Sequence, residues 1–510
     1  MRILQTETLA EELLSAPSDV HLWAYNGFDV LMPHEILAAI DKKMSQNQHA
    51  YYNFERNLCG PALSMMLNGV KVDSGYHGAE IVEHRKKEKN LLFYINQLAH
   101  AVWGKGLNIK SPQQMKEFFY TNETGFKIKP KFSGSGTKRR VSCDRKALEK
   151  VYAESFYARP LINAMFQLKD IAKSLEFLER GIEKDGRVRC SFNVAATESG
   201  RWSSSHNPWR RGGNFQNQSE SIRKIYIADE DYVFAYPDLS AAEAYGVAYY
   251  SEDENYIAAC RSGDVHTGVA KLVFKELPWN EQRTGVYNPL DRRVAETPFY
   301  RHLTYRDMAK RGAHGSNYGG QAFALARELQ VPEERADEFQ TIYFERFPGI
   351  QRWHSRVQRE LQSARSLSTA LGRERLFLGR TDSRDTLKEA LAWLPQSLIS
   401  DILKIGMLRI WRKYELRRGI VKLHADMHDG LLFSIKESYL DEVAPIIKNL
   451  MTIPIRFRSN EIMTIPVDFT VGYRWQKKEM KNWEPGVLSK LTRPKATTML
   501  DLEAEYIEKT

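Results

Sequence analysis

Cysteine is scarce in this sequence, and the cysteines that occur are far apart. The chain has 4 of them in 510 residues (Cys59, Cys143, Cys190 and Cys260), with no CxxC pair. This excludes a disulfide-rich scaffold and a zinc ribbon, because both need closely spaced cysteines. No apolar run approaches the ~18 residues of a membrane span, and no signal-peptide core follows the N-terminus. We therefore predict a cytoplasmic protein that has no membrane partner.

Acidic residues are outnumbered by basic ones, 64 to 74, which gives a formal net charge of +10. A positive excess favours a polyanionic partner such as nucleic acid. Apolar residues make up 42% and charged residues 27%, a globular rather than a disordered composition. A chain of 510 residues exceeds one ordinary core, so we expect two to four packed modules.

Strand-like runs lie on both sides of a long helical stretch. They cover 187–194, 231–239, 421–435 and 463–473, and the stretch from Ala241 to Arg418 reads as mainly helical. A sheet assembled from both halves of the chain, interrupted by a helical excursion, is the simplest arrangement that pairs these runs. The pattern therefore predicts an α+β fold.

Two aspartates stand where strand patterns end. Asp238 closes one strand before a helix that starts near Ala241, and His428-Asp429 lies between two apolar stretches, as in a hairpin turn. Taken singly, each aspartate is explained equally well as a helix-capping or turn residue. A carboxylate at the junction of a strand and a helix points out of the sheet edge, and the case for a functional role strengthens only when both aspartates are considered with the segment between them.

Four side chains recur every four residues between these aspartates: Arg306, Lys310, His314 and Tyr318. On one helix they form a stripe ~18 Å long, roughly the reach of a nucleoside triphosphate. The cations suit phosphates, and the aromatic ring suits a base. A solvated charged face is the ordinary alternative.

Glycines interrupt this same helix at positions 312, 315, 319 and 320. Each glycine in a helix interior costs about 1 kcal/mol relative to alanine. We therefore expect that the helix moves, or that a ligand approaches its backbone.

Taken together, these segments resemble the motifs of family A DNA polymerases, the class of bacterial DNA polymerase I and many bacteriophage replicative enzymes. The similarity runs from about Tyr52 to Trp475, and the motifs occur in the family's order. They are motif A (DxSxxE) at Asp238-Leu239-Ser240 and Glu243, motif B (RxxxKxxxxxxxYG) at Arg306, Lys310, Tyr318 and Gly319, motif C at His428-Asp429, and the GRxSS…NxQN segment at Gly200–Ser205 with Asn214, Gln216 and Asn217.

The resemblance implies a right-hand polymerase, with an antiparallel palm sheet and helical fingers and thumb. It also implies template-directed DNA synthesis on a primer, in DNA replication. The implied segments are 1–50, the remnant of an exonuclease-domain C-terminus; 51–190, the thumb and the helices leading into it; 191–260, the first part of the palm; 261–392, the fingers; 393–475, the second part of the palm; and 476–510, a polar and partly ordered tail.

The resemblance further implies roles for the motif residues in catalysis. Asp238, Asp429 and the main-chain carbonyl of Leu239 would hold two Mg²⁺ ions, for which Mn²⁺ is a possible substitute. Lys310 would contact the deoxynucleotide phosphates and donate a proton to pyrophosphate, and Arg306 would bind the outer phosphate oxygens. The other implied nucleotide-binding residues are Glu243, which would exclude a 2′-hydroxyl, Tyr318 near the templating base, and His314.

Contacts with primer–template DNA follow from the same resemblance. Arg201 and Gln396 would reach minor-groove acceptors shared by all correct base pairs, and His428 would touch the primer end. Asn214, Gln216 and Asn217 would contact DNA from the segment before motif A. The basic loop Lys127–Arg140, with Lys138, Arg139 and Arg140, would grip duplex phosphates, although a solvated flexible loop is the alternative.

The sequence departs from the family pattern at several positions. His314 stands where Phe or Tyr is usual, Gly430 replaces the usual Glu after Asp429, and Lys388 and Ala392 replace Arg and Asn. The insertions at 209–213 and 275–305 have no assigned role.

The N-terminus also departs from the family pattern. Tyr25 and Asp29 resemble the last motif (YxxxD) of the 3′–5′ exonuclease that usually precedes this polymerase. That nuclease also needs an upstream DxE pair, and Asp19 is the first aspartate here. We expect that proofreading is absent from this chain or supplied by a separate exonuclease subunit, and a processivity factor is a further possible partner. A single-subunit RNA polymerase and a catalytically dead primer–template clamp are the alternatives.

Overall fold

The structure is a computed structural model that describes residues 17–121, 126, 128–133, 139–179, 182–280, 288–301, 303–415, 419–457 and 459–494. It divides into two compact units, each described here by itself. The sheet unit comprises Gly60–Tyr249 and Ile399–Thr510, and the helical unit comprises Met1–Cys59 and Tyr250–Leu398.

The described residues form α-helices in both units. In chain order they are α1 (Ser18–Asp41), α2 (Gln46–Asn57), α3 (Cys59–Asn68), α4 (Ser74–Trp103), α5 (Pro112–Lys116), α6 (Arg145–Glu154), α7 (Arg159–Glu179), α8 (Glu220–Arg223), α9 (Ala242–Ser251), α10 (Glu254–Arg261), α11 (Val265–Val273), α12 (Pro289–Ala295), α13 (Tyr305–Asn317), α14 (Ala322–Leu329), α15 (Glu333–Arg346), α16 (Pro348–Ala364), α17 (Arg384–Ile410) and α18 (Leu440–Met451).

The strands are short except near the predicted aspartates. In chain order they are β1 (Val70–Lys71), β2 (Phe132–Ser133), β3 (Arg140–Val141), β4 (Arg187–Val188), β5 (Cys190–Asn193), β6 (Ser203–His206), β7 (Tyr232–Leu239), β8 (Pro298–Tyr300), β9 (Leu303–Thr304), β10 (Ser366–Ser368), β11 (Glu374–Leu376), β12 (Val421–Asp426), β13 (Leu431–Lys436), β14 (Ile455–Arg456), β15 (Ile462–Met463), β16 (Val467–Gly472) and β17 (Lys481–Asn482).

One antiparallel sheet organises the sheet unit. Its order is β12-β13-β7-β16-β17, so β7 from the first half of the chain lies between two strands from the second half. The residues Tyr232–Ala235 of β7 are all buried, as a central strand requires. The predicted α+β sheet built from both halves of the chain is therefore confirmed.

The first predicted strand run, 187–194, does not join this sheet. Within it, β4 pairs with β1, and β5 pairs with β6 in a separate hairpin. Along β5 only alternate residues, Cys190 and Phe192, are buried, whereas both faces of β7 are covered. This one-sided burial suits a short peripheral ribbon rather than the main sheet.

Long helices form a second apolar core in the sheet unit. The N-cap of α4 is Asp73, whose carboxylate accepts a hydrogen bond from the Tyr76 amide at 3.2 Å. Helix α4 packs on α7, and the core between them and the following segment includes Ile95, Phe118 and Met165. Asp73 also forms a fully buried 2.8 Å ion pair with Arg474, which follows β16.

The glycines of α13 have structural explanations inside the helical unit. A Cβ on Gly312 would lie 2.5 Å from the Phe339 ring of α15, so glycine permits close packing there. Gly319 has φ +70°, a left-handed conformation just after the helix ends. A Cβ on Gly320 would meet the Gly315 carbonyl oxygen at 2.7 Å. Packing and helix termination, rather than helix movement, account for these three glycines.

The described N-terminal region begins with one long helix. Helix α1 spans Ser18–Asp41, and none of its residues, all of which are described, is buried. Tyr25 and Asp29 lie exposed on this helix. Among the described residues, no helix has the length and apolar character needed to cross a membrane.

The C-terminal segment is folded at its start. Strand β17 pairs with β16, and a short 3₁₀ helix follows at Val487–Lys490. Residues 495–510 of the predicted tail lie outside the described residues.

Candidate active site

Asp238 and Asp429 come together at one end of the central sheet. Where the regular pairing of β7 and β13 ends, Asp238 forms an isolated antiparallel bridge with Gly430. The next amide, of Leu239, donates a 2.8 Å hydrogen bond to the main-chain carbonyl of Asp429. Residues 190 and 192 positions apart in the sequence are thus direct backbone neighbours.

The loop between β12 and β13 is the tight turn that the sequence predicts, and it presents Asp429. The Asp429 amide donates to the Met427 carbonyl, and the Met427 amide donates to the Gly430 carbonyl, both at 2.9 Å. His428 has φ +72°, and its amide donates to the Asp426 carboxylate at 3.0 Å. The buried Asp426 side chain therefore fixes the conformation of the turn.

The carboxylates of this site oppose one another's ionisation. Burial raises the pKa of Asp238 to about 7. The negative charges of Asp429 and Asp468 contribute to this rise, and Asp468 is the residue of β16 that pairs with Asp238. Burial also raises the pKa of Asp429; Arg201 opposes this shift and Glu243 adds to it. Crowded, half-buried carboxylates of this kind suit a divalent cation, which compensates their charge.

The donor set for such a cation is small. In the part of the chain that the structure describes, no three His, Cys, Asp or Glu side chains are arranged to hold a metal ion. Of the predicted ligands, Asp238 and Asp429 would supply two carboxylates and Leu239 a main-chain carbonyl. Mg²⁺ is commonly bound by one or two carboxylates together with water and substrate phosphates, so this set fits it.

Arg201 lies between two acidic residues of the site. Its Nη2 is 3.2 Å from Oε1 of Glu243, in the first turn of α9, and 3.5 Å from Oδ1 of Asp429. Arg201, Glu243 and Asp429 were all predicted as site residues, and the structure brings them together.

Asp426 and Lys404 belong to the same neighbourhood but were not predicted from the sequence. Lys404 on α17 is 1% exposed and donates to the main-chain carbonyl of Gly200, the residue before Arg201. Its charge opposes the burial that raises the pKa of Asp426. Lys404 thus supports both the Arg201 segment and the Asp429 turn. A lysine within the apolar sequence SLISDILKIGM was the available signal.

The segment before motif A forms a compact 3₁₀ turn over Phe215–Asn217. The Asn214 side-chain oxygen accepts from the Asn217 amide and from the Ser204 hydroxyl, both at 3.2 Å. Asn214 and Asn217 are exposed, whereas Gln216 is only 5% exposed. Of the three predicted DNA contacts here, Gln216 is therefore placed in the interior.

In the helical unit, Arg306, Lys310 and His314 lie on α13, and Tyr318 follows its last residue. Asp264 holds Arg306 through hydrogen bonds of 2.9 and 3.2 Å. Burial would raise the pKa of Asp264, but the hydrogen bonds and charge of Arg306 bring it below its usual value. The rings of His314 and Tyr318 meet edge to face, with centroids 4.9 Å apart.

His266 was also missed by the sequence reasoning. Burial lowers its pKa to about 4, and the nearby charges of Arg306 and Lys310 contribute, which places an uncharged imidazole beside both cations. Its sequence neighbour Asp264, a helix cap in the pattern GDVHTG, was the only local signal.

The remaining predicted DNA contacts lie at other positions in the two units. Gln396 is half-buried on α17 in the helical unit. Arg139 and Arg140 are exposed in the sheet unit, where β2 and β3 form a small hairpin and Arg139 stacks on Phe132 at 4.5 Å. Lys127 and residues 134–138, including Lys138, lie outside the described residues.

Comparison with known proteins identifies the family. The sequence pattern of the family described as "DNA polymerase family A" matches residues 79–477, which is most of the chain. The chain belongs to DNA polymerase family A. The matched range includes Asp238, Arg306, Lys310 and Asp429.

The curated relatives of this family A polymerase include several bacterial enzymes named DNA polymerase I. That of Caldicellulosiruptor bescii is 24% identical over 86% of this chain and 48% of its own length. The Helicobacter pylori protein is 26% identical over 76% of this chain and 40% of its own. The thermostable Thermus aquaticus protein is 27% identical over 79% and 45%, respectively. The chain therefore spans about half the length of these relatives, or less.

A solved structure shows the same fold. The POL domain of Pol1 from M. smegmatis, in complex with DNA primer-template and dNTP, superposes with a TM-score of 0.65 at 23% identity. The match covers 82% of this chain and 70% of that one. This family A polymerase therefore has the predicted right-hand fold.

Proposed function

We propose that this chain is a DNA-directed DNA polymerase that adds deoxynucleotides to a primer 3′-hydroxyl. Membership of DNA polymerase family A supports this proposal. The observation that carries it is the hydrogen bond from the Leu239 amide to the Asp429 carbonyl, because it joins motif A to motif C. Primer–template DNA and dNTPs are the proposed partners and substrates.

Asp238, Asp429 and the Leu239 carbonyl are the proposed ligands of two Mg²⁺ ions, with Mn²⁺ as a possible substitute. Bound there, the ions would lower the pKa of the primer hydroxyl and neutralise charge on the leaving pyrophosphate. Asp426 keeps Asp429 in place through the His428 amide, and Arg201 balances part of the negative charge. The protein's contribution is mainly positioning and charge stabilisation, as in other phosphoryl transfers.

Residues of α13 are the proposed nucleotide-binding group. Lys310 binds the phosphates and donates a proton to pyrophosphate, and Arg306 binds the outer phosphate oxygens. The Asp264 ion pair supports a role for Arg306 because it holds the guanidinium in a defined orientation. His266, uncharged beside both cations, is a further phosphate hydrogen-bond donor. Tyr318 and His314 would pack near the templating and incoming bases.

Several residues are proposed to recognise the primer–template. Arg201, Gln396 and His428 would contact the primer terminus, and the exposed Asn214 and Asn217 would contact the template. The exposed Arg139 and Arg140 suit duplex phosphates. Gln216 would act indirectly, because its main-chain amide donates a hydrogen bond to the Ser204 hydroxyl and so helps to fix the conformation of this segment. Glu243 would exclude the 2′-hydroxyl of ribonucleotides.

The wider assignments are also proposals. The thumb is assigned to 51–190, the palm to 191–260 and 393–475, and the fingers to 261–392. The proposed biological role is DNA replication in the cytoplasm, and the proposed source is a bacteriophage. We propose that the chain does not proofread by itself, since Tyr25 and Asp29, which resemble the last exonuclease motif, are exposed on α1. A separate exonuclease subunit or a processivity factor would then complete the enzyme.

Primer extension with Mg²⁺ tests the proposed activity. Asp238→Asn and Asp429→Asn should each lower turnover about 10³-fold or more while DNA binding persists, because transition-state charge loses its compensation. Asp170→Asn, which changes an exposed carboxylate on α7, is the matched control and should extend normally.

Two outcomes would contradict the proposal. Near-normal turnover in either variant would remove the metal-site assignment. DNA binding without any extension by the unmodified chain would instead indicate a dead clamp. Offering rNTPs in parallel distinguishes an RNA polymerase, which would prefer them.

A further inference from the structure

The exposed side of α16, in the helical unit, is a row of arginine, serine and glutamine side chains. The opposite side of the helix, which includes Trp353 and Val357, is buried. The exposed residues recur every three or four positions, which places them on one side of the helix. At ~1.5 Å per residue, their row is ~16 Å long. We call this row the α16 face, and its members are Arg352, Ser355, Arg359, Gln362 and Ser363.

The arginines of the α16 face are not neutralised by acidic neighbours. Elsewhere in the described chain, exposed basic residues on helices pair with carboxylates one turn away, as Lys87 of α4 does with Glu83 at 3.1 Å. Among the residues that the structure describes, Arg352 and Arg359 are in no ion pair. Glu360 is the only acidic residue of α16, and it projects ~100° around the helix from Arg359. The α16 face therefore differs from an ordinary solvated face, whose charges pair with one another.

The side chains of the α16 face are those that proteins use to bind phosphodiester oxygens. Guanidinium, hydroxyl and carboxamide groups all donate hydrogen bonds to phosphate, and the guanidinium adds a full positive charge. Successive donors lie ~5 Å apart along the helix axis, so the row can follow one nucleic-acid strand over a few nucleotides. None of the five residues is aromatic, so the face offers no ring on which a base could stack. It therefore suits the backbone of a strand rather than its sequence.

Helix α16 is attached to the end of the proposed nucleotide-binding helix, α13. His354 donates a 2.8 Å hydrogen bond from Nε2 to the main-chain carbonyl of Asn317, the last residue of α13. Gln351, the residue before the α16 face begins, lines a cavity of about 490 Å³ together with Gly319. The α16 face therefore begins close to Tyr318, which lies between Asn317 and Gly319 in the chain.

We propose that the α16 face binds the phosphates of the single-stranded template that has not yet been copied. The inference rests on the proposed function, in which Tyr318 packs near the templating base. The next template nucleotides are joined to that base through their phosphates, so they leave the vicinity of Tyr318 along a nearby surface. Glu333 and Asp337 line the cavity beside Gly319, so phosphates are favoured on the α16 face rather than inside the cavity.

Two primer–templates with the same duplex test this assignment on the full chain. One has a single unpaired template nucleotide, and the other has about eight, enough to pass the few phosphates that the face can reach. Fluorescence anisotropy gives the salt slope, which is the slope of the logarithm of the binding constant against the logarithm of the salt concentration. Each phosphate contact with a single strand contributes about −0.7 to this slope. Two arginine contacts should therefore make the salt slope of the long overhang steeper by about 1.4 than that of the short one.

Paired substitutions assign this excess slope to the α16 face. Arg352→Gln with Arg359→Gln removes both charges from exposed positions, so the melting temperature should change little. We expect this pair to lose the excess slope on the long overhang and to bind the short overhang as the unmodified chain does. Arg352→Lys with Arg359→Lys keeps both charges and should keep the excess slope. Lys42→Gln with Lys43→Gln, exposed after α1 in the same unit, is the matched control.

The inference is supported if the glutamine pair alone loses the excess slope. An excess slope that persists in the glutamine pair overturns it, because the strand is then bound elsewhere. Equal weakening on both substrates also overturns it and would assign the face to duplex phosphates. Loss of the excess slope in the lysine pair or in the control pair has the same consequence, because the charge of the α16 face is then not its cause.

Single-nucleotide extension of the short-overhang substrate separates this result from the proposed function. Extension by the unmodified chain, without an excess slope on the long overhang, overturns the role of the α16 face and leaves the polymerase proposal intact. No extension by the unmodified chain overturns the proposed function, and with it the assignment of the template to α16.

Discussion

Arg201, Glu243 and Asp429 show how individual charges are balanced in the candidate site. The Arg201 guanidinium lies 3.2 Å from Glu243 and 3.5 Å from Asp429, and all three side chains are half-buried. Each charge in such a group constrains the others, so removal of one side chain changes more than its own contact. Substitutions must therefore separate the bulk of a residue from its charge.

Glu243→Ala should raise ribonucleotide incorporation on the order of 10–100-fold, because the proposed steric barrier to the 2′-hydroxyl is removed. Glu243→Gln keeps the bulk and loses only the charge that pairs with Arg201. It should retain most of the discrimination between dNTPs and rNTPs in single-nucleotide extension. Equal loss of discrimination in both variants would show that the ion pair with Arg201, rather than size, excludes the ribose.

His424 is a buried residue of β12 that links stability to pH. Nδ1 lies 2.7 Å from the Gly69 carbonyl oxygen and Nε2 lies 2.9 Å from the Ser434 hydroxyl, so the uncharged ring donates at Nδ1 and accepts at Nε2. Burial lowers the pKa of this ring to about 4. Below pH ~6.5, the His424 side chain therefore binds a proton in the unfolded chain, whereas in the folded chain it stays uncharged until the pH approaches 4.

The free energy of unfolding should accordingly fall as pH decreases from about 6.5 towards 4. Between pH 6.5 and 5 this single group contributes a loss of about 2 kcal/mol. His424→Gln should be less stable at neutral pH and should show a shallower pH dependence in chemical denaturation. His21→Gln, on the exposed surface of α1, is the control. A pH dependence unchanged by His424→Gln would contradict this assignment.

Helix α13 shows what a single element requires of its sequence. Gly312 faces the Phe339 ring of α15, whereas a Cβ on Gly315 would meet Leu325 Cδ1 at an ordinary 3.5 Å. Close packing therefore requires glycine at position 312 but not at position 315, one helical turn away. Sequence reasoning treated these glycines alike because helix propensity contains no information on what a neighbouring helix presents.

Alanine substitutions on α13 should have opposite effects. Gly312→Ala should destabilise the protein by about 1–3 kcal/mol, because the methyl group overpacks against Phe339. Gly315→Ala should be neutral or stabilising by up to about 1 kcal/mol, because it removes the helix penalty of glycine. Differential scanning calorimetry of both variants measures this difference. Equal effects would mean that the packing of α13 on α15 is not what requires Gly312.

The elements around the aspartates were predictable from the sequence, but several others were not. The apolar run before Asp238 and the Asp-Gly turn after His428 are local signals, and both elements are present. The peripheral hairpin of β5 differs from expectation because strand partners depend on distant residues. Lys404 and His266 were missed for the same reason, since only the folded chain places them beside Gly200 and Arg306.

The whole molecule carries a net charge of +10, and exposed arginines such as Arg139 and Arg140 contribute to it. Affinity for primer–template should fall steeply as the salt concentration rises. In a plot of the logarithm of the binding constant against the logarithm of the salt concentration, each phosphate contact contributes about −0.9 to the slope. Replacing both arginines by alanine should reduce that slope by about 2, measured by fluorescence anisotropy. Lys42→Ala with Lys43→Ala, both exposed after α1, is the control pair. A slope unaffected by the arginine changes would contradict their role in binding the duplex.

Strand β7 pairs with β13 and β16, which lie about two hundred residues later in the chain. During translation, this apolar strand therefore leaves the ribosome well before either partner has been made. At ~5–20 residues per second, it waits roughly 10–50 s with unpaired edges. Synthesis of this protein should thus depend on a chaperone that shields the nascent strand, and a slower ribosome should lower the soluble yield.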